Sequence, residues 1–524
     1  MATICRNCGA EVPDTMRFCA SCGTQIEFGT DNARNGSDDD IVPGKGRKPA
    51  LNFNFNFKKL IIPAIVLVVV IVAVIIAVNI FMPGKYMQTK GSVLLEDGDE
   101  TVIIIPSGKN KIEEIEGDLE NGAFSMDGTA AAALIDEYDV EGFALYLVSD
   151  KPKLIADEVE SYWFAASGDV IAYTKEYDSR EGTAELWLYS GGQSKLLTSE
   201  FSYYNNCAIS PDGKTLAFTT YDGERYRGAL WDGKATTDLG RDVLPLAVSN
   251  GAKYIYYTRN DSFYVQKGTN DENREKLGEN IRSIRANKDL TQIVFNYDSK
   301  GYISRNGGKR ESLSGSIYSF ILPRGAASHY SSGVTIYGIS NFADTFYRNA
   351  DDGIVHINSK YETSRVVSNV DYLVFLADDG KTLTYLKNDR ISRVDGKKAS
   401  AESIQIARDV ETYVATSDGN AVFFIDEDDE IKYIKGTGNS VTVSNDYSNE
   451  GFTLFKGTTL FYISESELYS SAGAKGTRVS GIAGDVEYVQ ADMFSILVVT
   501  DDGGDTLVYR SMDGKKFDLI YEEY

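Results

Sequence analysis

The chain has 524 residues, of which 42% are hydrophobic and 25% charged, so it has enough apolar material for several packed domains. Its 53 basic and 77 acidic side chains give a net charge of −24, which argues against broad binding to nucleic acid. Five cysteines in a chain of this length exclude a disulfide-stapled scaffold.

The N-terminal piece, residues 1–27, contains two Cys-x2-Cys pairs separated by ten residues. The pairs are Cys5 with Cys8 and Cys19 with Cys22, and a glycine follows each pair. Four thiolates can surround one zinc ion tetrahedrally, and the glycine permits the tight turn that each pair needs. The alternatives are a redox motif, which needs no duplicate, and disulfides, which are uncommon in a reducing compartment. We predict one structural Zn²⁺ bound by these four cysteines.

This piece resembles the zinc-ribbon domains that begin many bacterial membrane-anchored proteins, and the resemblance covers residues 4–26. Within it, Arg6 and Arg17 are the only basic residues. Because binding to nucleic acid depends on basic side chains that neutralise phosphates, the ribbon is not expected to bind nucleic acid. We expect it to dock on an unidentified cytoplasmic protein.

Residues 28–59 form a polar and basic linker, and residues 60–81 form an apolar stretch without any charge. A helix of that length rises about 33 Å, which is enough to cross a hydrocarbon core of about 30 Å. A buried core helix would be shorter or amphipathic, and a cleaved signal peptide would begin nearer the N-terminus. The stretch therefore predicts one uncleaved transmembrane helix.

The charges beside this stretch predict its orientation. Between residue 41 and the stretch there are five basic residues and no acidic one, whereas acidic residues dominate soon after it. Since basic flanks stay in the cytoplasm, we expect a cell-membrane protein with a cytoplasmic N-terminus and an extracytoplasmic C-terminal part. Beyond residue 81 the chain carries 45 basic and 70 acidic side chains, so the outer part has a net charge of −25.

After the span, residues 82–119 are predicted to be a stalk or closing strands, and residues 120–524 to be repeats of short strands. Turn residues recur from position 128 to about 493 in steps of 36 to 44 residues, with one step of 91. A degenerate unit between Ser316 and Val366 accounts for the long step and gives ten candidate units. Four strands about every 40 residues are typical of propeller blades.

The segment from Ser210 to Phe218, SPDGKTLAF, resembles the repeats of TolB-like and WD-like β-propellers. This resemblance implies an all-β extracytoplasmic β-propeller. Because ten units exceed the four to eight blades that are usual, we expect about eight blades in one ring, with two consecutive propellers as the alternative.

The outer part lacks the sequence motifs of common catalytic sites. His329 and His356 are expected to be ordinary strand or loop residues, and Cys207 a buried apolar one. The acidic segments Asp426–Glu430 and Asp501–Asp505 lack the ordered ligand pattern of a calcium loop, so we expect hairpin turns. Most of the 33 tyrosines should pack between sheets, and a minority can stack on sugars or peptides.

These features predict a non-enzymatic binding or scaffold protein. Its propeller would engage an envelope protein, peptide or glycan, and its ribbon would dock or regulate a protein inside the cell. A transmembrane signalling sensor is the alternative, and an enzyme acting on envelope polymers is a further one. The negative charge of the outer part favours neutral or cationic ligands over anionic wall polymers.

Overall fold

The structure is a computed structural model that describes residues 2–4, 11–13, 87, 93–97, 101–105, 113–137, 142–149, 151–203, 205, 207–371, 373–398, 401–445, 447 and 451–522. The chain divides into two compact parts, Met1–Ile75 and Ile76–Tyr524. In the first part, β1 (Ala2–Ile4) and β2 (Glu11–Pro13) form an antiparallel pair. The four ribbon cysteines and the predicted span at 60–81 lie outside the described residues. Within the described ranges, no helix has both the length and the apolar character that crossing a membrane requires.

The second part begins with an antiparallel sheet of three strands. They are β3 (Val93–Asp97), β4 (Thr101–Ile105) and β5 (Glu113–Glu116). Ile115 of β5 is buried against the next strands along the chain. This segment is therefore a small sheet next to the repeats.

Ten units of four antiparallel strands follow, each formed in chain order. Unit 1 contains β6 (Asp118–Phe124), β7 (Ala131–Asp136), β8 (Phe143–Val148) and β9 (Pro152–Val159). Unit 2 contains β10 (Ser161–Phe164), β11 (Val170–Asp178), β12 (Thr183–Ser190) and β13 (Gln193–Ser202). Unit 3 contains β14 (Ala208–Ile209), β15 (Leu216–Tyr221), β16 (Tyr226–Trp231) and β17 (Thr236–Arg241). Unit 4 contains β18 (Leu244–Val248), β19 (Ile255–Arg259), β20 (Ser262–Gln266) and β21 (Arg274–Glu279). Unit 5 contains β22 (Arg282–Asn287), β23 (Gln292–Tyr297), β24 (Lys300–Arg305) and β25 (Arg310–Ser312).

The second half of the array repeats this plan, with one interruption in unit 6. Unit 6 contains β26 (Ile317–Ile321), β29 (Thr345–Asn349), β30 (Ile354–Ile357) and β31 (Thr363–Val367). Between its first two strands lie β27 (Ser328–Ser331) and β28 (Val334–Tyr337). Unit 7 contains β32 (Val374–Leu376), β33 (Thr382–Lys387), β34 (Arg390–Asp395) and β35 (Ile404–Arg408). Unit 8 contains β36 (Val410–Ala415), β37 (Ala421–Asp426), β38 (Ile431–Lys435) and β39 (Val441–Ser444). Unit 9 contains β40 (Phe452–Phe455), β41 (Thr459–Ser464), β42 (Glu467–Ser471) and β43 (Thr477–Arg478). Unit 10 contains β44 (Asp485–Ala491), β45 (Ile496–Asp502), β46 (Asp505–Ser511) and β47 (Asp518–Glu522).

The described residues are therefore all-β, apart from two 3-10 turns at Asn250–Ala252 and Asp271–Asn273. The ten predicted units correspond to these ten units of strands. The degenerate unit is unit 6, and its turn marker is missing because an insertion, residues 322–344, replaces the short turn between its first two strands.

A separate hydrophobic core lies between each pair of consecutive units, from units 1 and 2 to units 9 and 10. In units 2 to 9, the second strand lies between two such cores. In β37, for example, all six side chains are buried. A strand with two covered faces needs apolar residues on both, which explains continuous runs such as AVFFID in place of strict alternation. The units thus pack face to face in chain order.

The turn that joins the first two strands of a unit has a recurring side-chain hydrogen bond. In unit 3, Ser210 Oγ accepts from the N–H of Thr215 at 3.0 Å and donates to Asp212 Oδ1 at 2.8 Å. Gly213 has a φ of 69°, and a Cβ there would lie 2.6 Å from the side chain of Val170 in unit 2. The Ser-x-Asp-Gly pattern of the sequence is therefore required by the turn itself. The same bond, to the N–H five residues later, is made by Ser125, Ser249, Asn287 and Thr416.

These turns also join neighbouring units. The N–H of Met126 donates to Ala166 O at 3.0 Å, and the N–H of Ser167 donates to Pro211 O at 2.9 Å. In the second half, the N–H groups of Asp378, Ser417 and Lys456 donate to the turns of the following units at 2.7 to 2.9 Å. A row of hydrogen bonds therefore runs along the turns of units 1 to 3 and of units 7 to 10.

A candidate binding groove

The insertion in unit 6 forms a hairpin that pairs with the first strand of unit 5. β28 lies parallel to β22, with Ile284 opposite Val334 and Ala286 opposite Ile336, and β27 lies antiparallel to β28. Val334 and Ile336 are buried in the core that units 4 and 5 share. The hairpin thus adds two strands to unit 5 at the edge formed by its first strand, β22.

His329 in β27 fastens this hairpin to two other units. Its Nε2 lies 2.8 Å from the carbonyl oxygen of Phe164 in unit 2, and its Nδ1 lies 3.3 Å from that of Phe124 in unit 1. Burial lowers the pKa of His329, and the two carbonyl contacts act in the opposite direction. Beyond β27, Ser332 Oγ donates to the carbonyl of Cys207 in unit 3. One short hairpin therefore contacts the first strands, or residues next to them, in units 1, 2, 3 and 5.

A groove of about 650 Å³ lies along this hairpin, and we call it the aromatic groove. It is lined by residues 121–125 of unit 1, residues 162–164 of unit 2 and residues 328–333 of the hairpin. No aspartate, glutamate, lysine or arginine is among these lining residues, although residues 82–524 carry a net charge of −25. The groove is an uncharged strip on a strongly acidic protein.

Three aromatic side chains give the groove its character. Tyr330 is 71% exposed, since side chains alternate along β27 and the preceding His329 points into the protein. Trp163 is half-buried and packs edge-on against Phe201, with ring centroids 5.5 Å apart. Tyr162 donates its hydroxyl to Ala132 O at 3.3 Å. The groove thus combines the exposed ring of Tyr330 with the rings of Trp163 and Tyr162, which contacts with the core hold in place.

Polar groups without charge complete the lining. Asn121 and Gly122 are exposed on β6, the first strand of unit 1. Ser331 Oγ is buried, and within the described part of the chain it has no hydrogen-bond partner. A buried hydroxyl without a partner costs free energy, so the Ser331 hydroxyl lowers the stability of the hairpin locally.

The other residues singled out in the sequence have structural roles. Cys207 is a buried free cysteine in the core between units 2 and 3, as predicted, and burial raises the pKa of its thiol. His356 lies buried in β30, with its ring 4.8 Å from that of Phe346. Asp426 accepts from the N–H of Glu430 and from Lys432, and Asp501 accepts from the N–H of Gly504, so both acids stabilise hairpin turns. The described residues contain no group of three potential metal ligands.

Sequence reasoning did not find the aromatic groove. It treated His329 as an ordinary residue and did not select Trp163 or Tyr330. The one available signal was the doubled step of 91 residues, which marks the position of the insertion.

Comparison with known proteins identifies the N-terminal piece. The zinc-ribbon domain family matches residues 4–26, which contain Cys5, Cys8, Cys19 and Cys22. This confirms the predicted zinc ribbon at the level of the domain family. No curated protein matches the chain.

Solved structures resemble the chain only distantly. The tricorn protease is 13% identical with a TM-score of 0.29, covering 84% of this chain and 58% of its own, so this chain spans less than two thirds of its length. A eukaryotic initiation factor is 11% identical with a TM-score of 0.36, covering 68% of this chain and 94% of its own. A GH74 enzyme of Niastella koreensis is 10% identical with a TM-score of 0.27, covering 83% and 86%. None of these likenesses assigns an activity to the chain.

Proposed function

We propose that this protein is a single-pass membrane protein whose extracytoplasmic part is a ten-bladed β-propeller that binds a neutral ligand without catalysis. The observation that carries the binding role is the aromatic groove, an uncharged surface with aromatic side chains on a strongly acidic protein. Ligand sites commonly combine aromatic side chains with a few polar groups in this way. The groove contains no carboxylate that could act as a general acid or base.

The insertion supports ten blades around one axis, in place of the single ring of about eight blades that the sequence favoured and of its alternative, two consecutive propellers. Pro323 pairs with Leu376 of unit 7, Arg324 Nη2 lies 3.4 Å from Ala415 O of unit 8, and a Cβ at Gly325 would lie 3.0 Å from Met493 of unit 10. A few residues later, the hairpin contacts units 1, 2, 3 and 5. Since ten residues span at most about 33 Å, both halves of the array come close to the same short segment.

Site-specific photocrosslinking in cells tests the binding role. A photoreactive amino acid at Tyr330 should give a discrete adduct, because this side chain lies in the groove and is 71% exposed. The matched control is Tyr318, a tyrosine that is 66% exposed on β26 and outside the groove. Adducts that are the same at both positions, or no adduct at Tyr330, would contradict a specific site.

For the ribbon we propose one zinc ion on Cys5, Cys8, Cys19 and Cys22. The donor set fits, since zinc is bound by thiolates in two such pairs. Here zinc would hold the mini-domain folded, because so short a segment cannot bury an adequate core. Metal analysis of the purified chain should find one zinc per protein, and the variant with all four cysteines replaced by serine should contain none. An equal zinc content in the two proteins would refute the assignment.

A transmembrane sensor is the second candidate, and one contact favours it. Met87 follows the predicted span by six positions, and its N–H donates to Gly338 O at 2.8 Å while its carbonyl accepts from Ala327 N at 2.6 Å. These two partners are the ends of the hairpin that lines the groove. If the protein signals, the four-cysteine variant at normal membrane level should reproduce the phenotype of Tyr330→Ala. An unchanged phenotype of the four-cysteine variant would indicate that the protein binds its ligand without signalling.

A further inference from the structure

We infer that the ligand of the aromatic groove is an uncharged saccharide chain, which the protein holds without cleaving. This inference rests on the proposed binding function and specifies its ligand. Three properties of the lining carry it, namely its aromatic rings, its neutral hydrogen-bonding groups and its lack of charge.

The aromatic rings are placed to stack on a flat apolar face. Sugars present such faces through their C–H groups, and the rings of Trp and Tyr offer large apolar surfaces with low conformational freedom. Tyr330 is 71% exposed, and Trp163 is half-buried on the neighbouring unit. Because Trp163 is fixed against Phe201 at 5.5 Å, its ordering costs little when a ligand binds.

The polar groups match hydroxyl and amide partners. The exposed amide of Asn121 and the exposed hydroxyl of Ser328 line the groove, and each of them can both donate and accept. Neutral donor–acceptor groups of this kind suit hydroxyl-rich ligands.

The charge distribution excludes anionic chains. No lysine or arginine lines the groove, and the surrounding domain has an excess of 25 negative charges. An anionic polymer would therefore meet repulsion without a compensating cation. A neutral chain avoids this cost.

An extended peptide fits the groove less well. Peptides that add to a sheet need free backbone groups on an edge strand. Here the carbonyls of Phe124 and Phe164, on the inner strands of units 1 and 2, already contact the ring of His329. A neutral imidazole has one N–H, so the His329 ring donates to one of these carbonyls and lies against the other. The hairpin therefore lies where an added strand would have to bond.

Cleavage of the saccharide is not expected. Glycosidases of the common kinds use two carboxyl groups, about 5–5.5 Å or about 6.5–9.5 Å apart, on either side of the bond that breaks. No carboxyl group belongs to the lining. The groove can therefore hold a sugar chain and leave it intact.

Calorimetric titration of the full-length protein in nanodiscs tests the inference. The probes are neutral trisaccharides (cellotriose, maltotriose and triacetylchitotriose), an anionic trigalacturonate, and a blocked neutral tripeptide. We expect saturable binding of at least one neutral trisaccharide and no binding of the other two probes. Tyr330→Ala should weaken that binding about tenfold, Trp163→Phe less, and Tyr318→Ala should have no effect. Chromatography should recover the bound trisaccharide uncut.

The outcomes separate this inference from the function on which it rests. If no neutral trisaccharide binds while Tyr330 crosslinks to a protein in cells, the saccharide is wrong and the binding function stands. If Tyr330 gives no specific adduct and no trisaccharide binds, both fail. Binding that survives Tyr330→Ala places the sugar elsewhere and overturns the assignment, and cleaved products would overturn the claim of holding without catalysis.

Discussion

The regular turn of unit 3 and the insertion of unit 6 occupy the same position in their units, between the first and second strands. In the regular turn, Ser210 Oγ accepts from the N–H of Thr215 within the same turn, and Gly213 packs on the neighbouring unit. The insertion instead leaves its unit, pairs with unit 5 and contacts units 1 to 3 through His329 and Ser332. The segment between the first two strands thus forms a short local turn in the regular units, whereas in unit 6 it makes long-range contacts. The candidate site therefore lies at the unit in which an insertion replaces the regular turn.

Replacing the insertion with a regular turn should have the largest effect. A variant in which residues 322–344 are exchanged for the turn at 210–215 loses the buried side chains of Ala327, Val334 and Ile336. Each large apolar side chain contributes about 1.5–3 kcal/mol, so the free energy of unfolding should fall by several kcal/mol. Urea unfolding of the full chain, followed by circular dichroism, measures this. An unchanged midpoint would mean that the hairpin is a passive addition.

Replacing a glycine with alanine should reduce stability more in the regular turn than in the hairpin of the insertion. Gly213→Ala should cost about 2–4 kcal/mol, because it combines a positive φ with a clash against Val170. Gly333, in the turn of the hairpin, has a φ of 83° but nothing within 4 Å of a Cβ. Gly333→Ala should therefore cost only about 1 kcal/mol. Equal losses in urea midpoint would show that packing between units does not depend on this turn.

The serines of the two regions should also differ. Ser210→Ala removes the acceptor for the N–H of Thr215 and should cost about 1–2 kcal/mol. Ser331→Ala removes a buried hydroxyl that has no partner in the described structure, so stability should stay the same or rise. The exposed Ser167, which bonds only to Asp169 through its hydroxyl, is the neutral control in chemical denaturation. A loss on Ser331→Ala equal to that of Ser210→Ala would indicate a partner for its hydroxyl.

Among these changes, acidification should lower the free energy of unfolding by the smallest amount. Because burial holds the folded pKa of His329 below its usual value of about 6.5, the unfolded chain takes up the proton more readily. The stabilising contribution is complete above pH 6.5 and is lost as the pH falls through the folded pKa. Unfolding midpoints at pH 7.5 and 5 should differ more for the natural protein than for His329→Gln. An identical pH response in the two proteins would contradict the shift.

The number of units could be predicted from the sequence because each regular turn requires a local pattern. Gly213 and Ser210 serve the turn in which they lie, so their spacing is visible in the chain. Cys207 was likewise recognisable as a buried apolar residue. The packing of the units relative to one another could not be predicted, since one ring or two would have the same strand pattern.

The groove could not be predicted because its parts are far apart in sequence. His329 contacts the carbonyl of Phe124 across 205 positions, and backbone carbonyls carry no residue signature. The insertion was visible only as a missing turn marker. Its destination depends on the parallel pairing of β28 with β22, for which local periodicity gives no signal.

That parallel pairing also sets an order of events during synthesis. β22 ends at Asn287, yet its partner β28 ends at Tyr337, and the carbonyl of Met87 accepts from the N–H of Ala327. Units 1 to 5 therefore cannot reach their final contacts until the chain beyond unit 5 has been made. Such distant pairing slows folding and leaves strand edges exposed in the meantime. We expect nascent chains that end before residue 322 to need a chaperone longer than chains that include the hairpin.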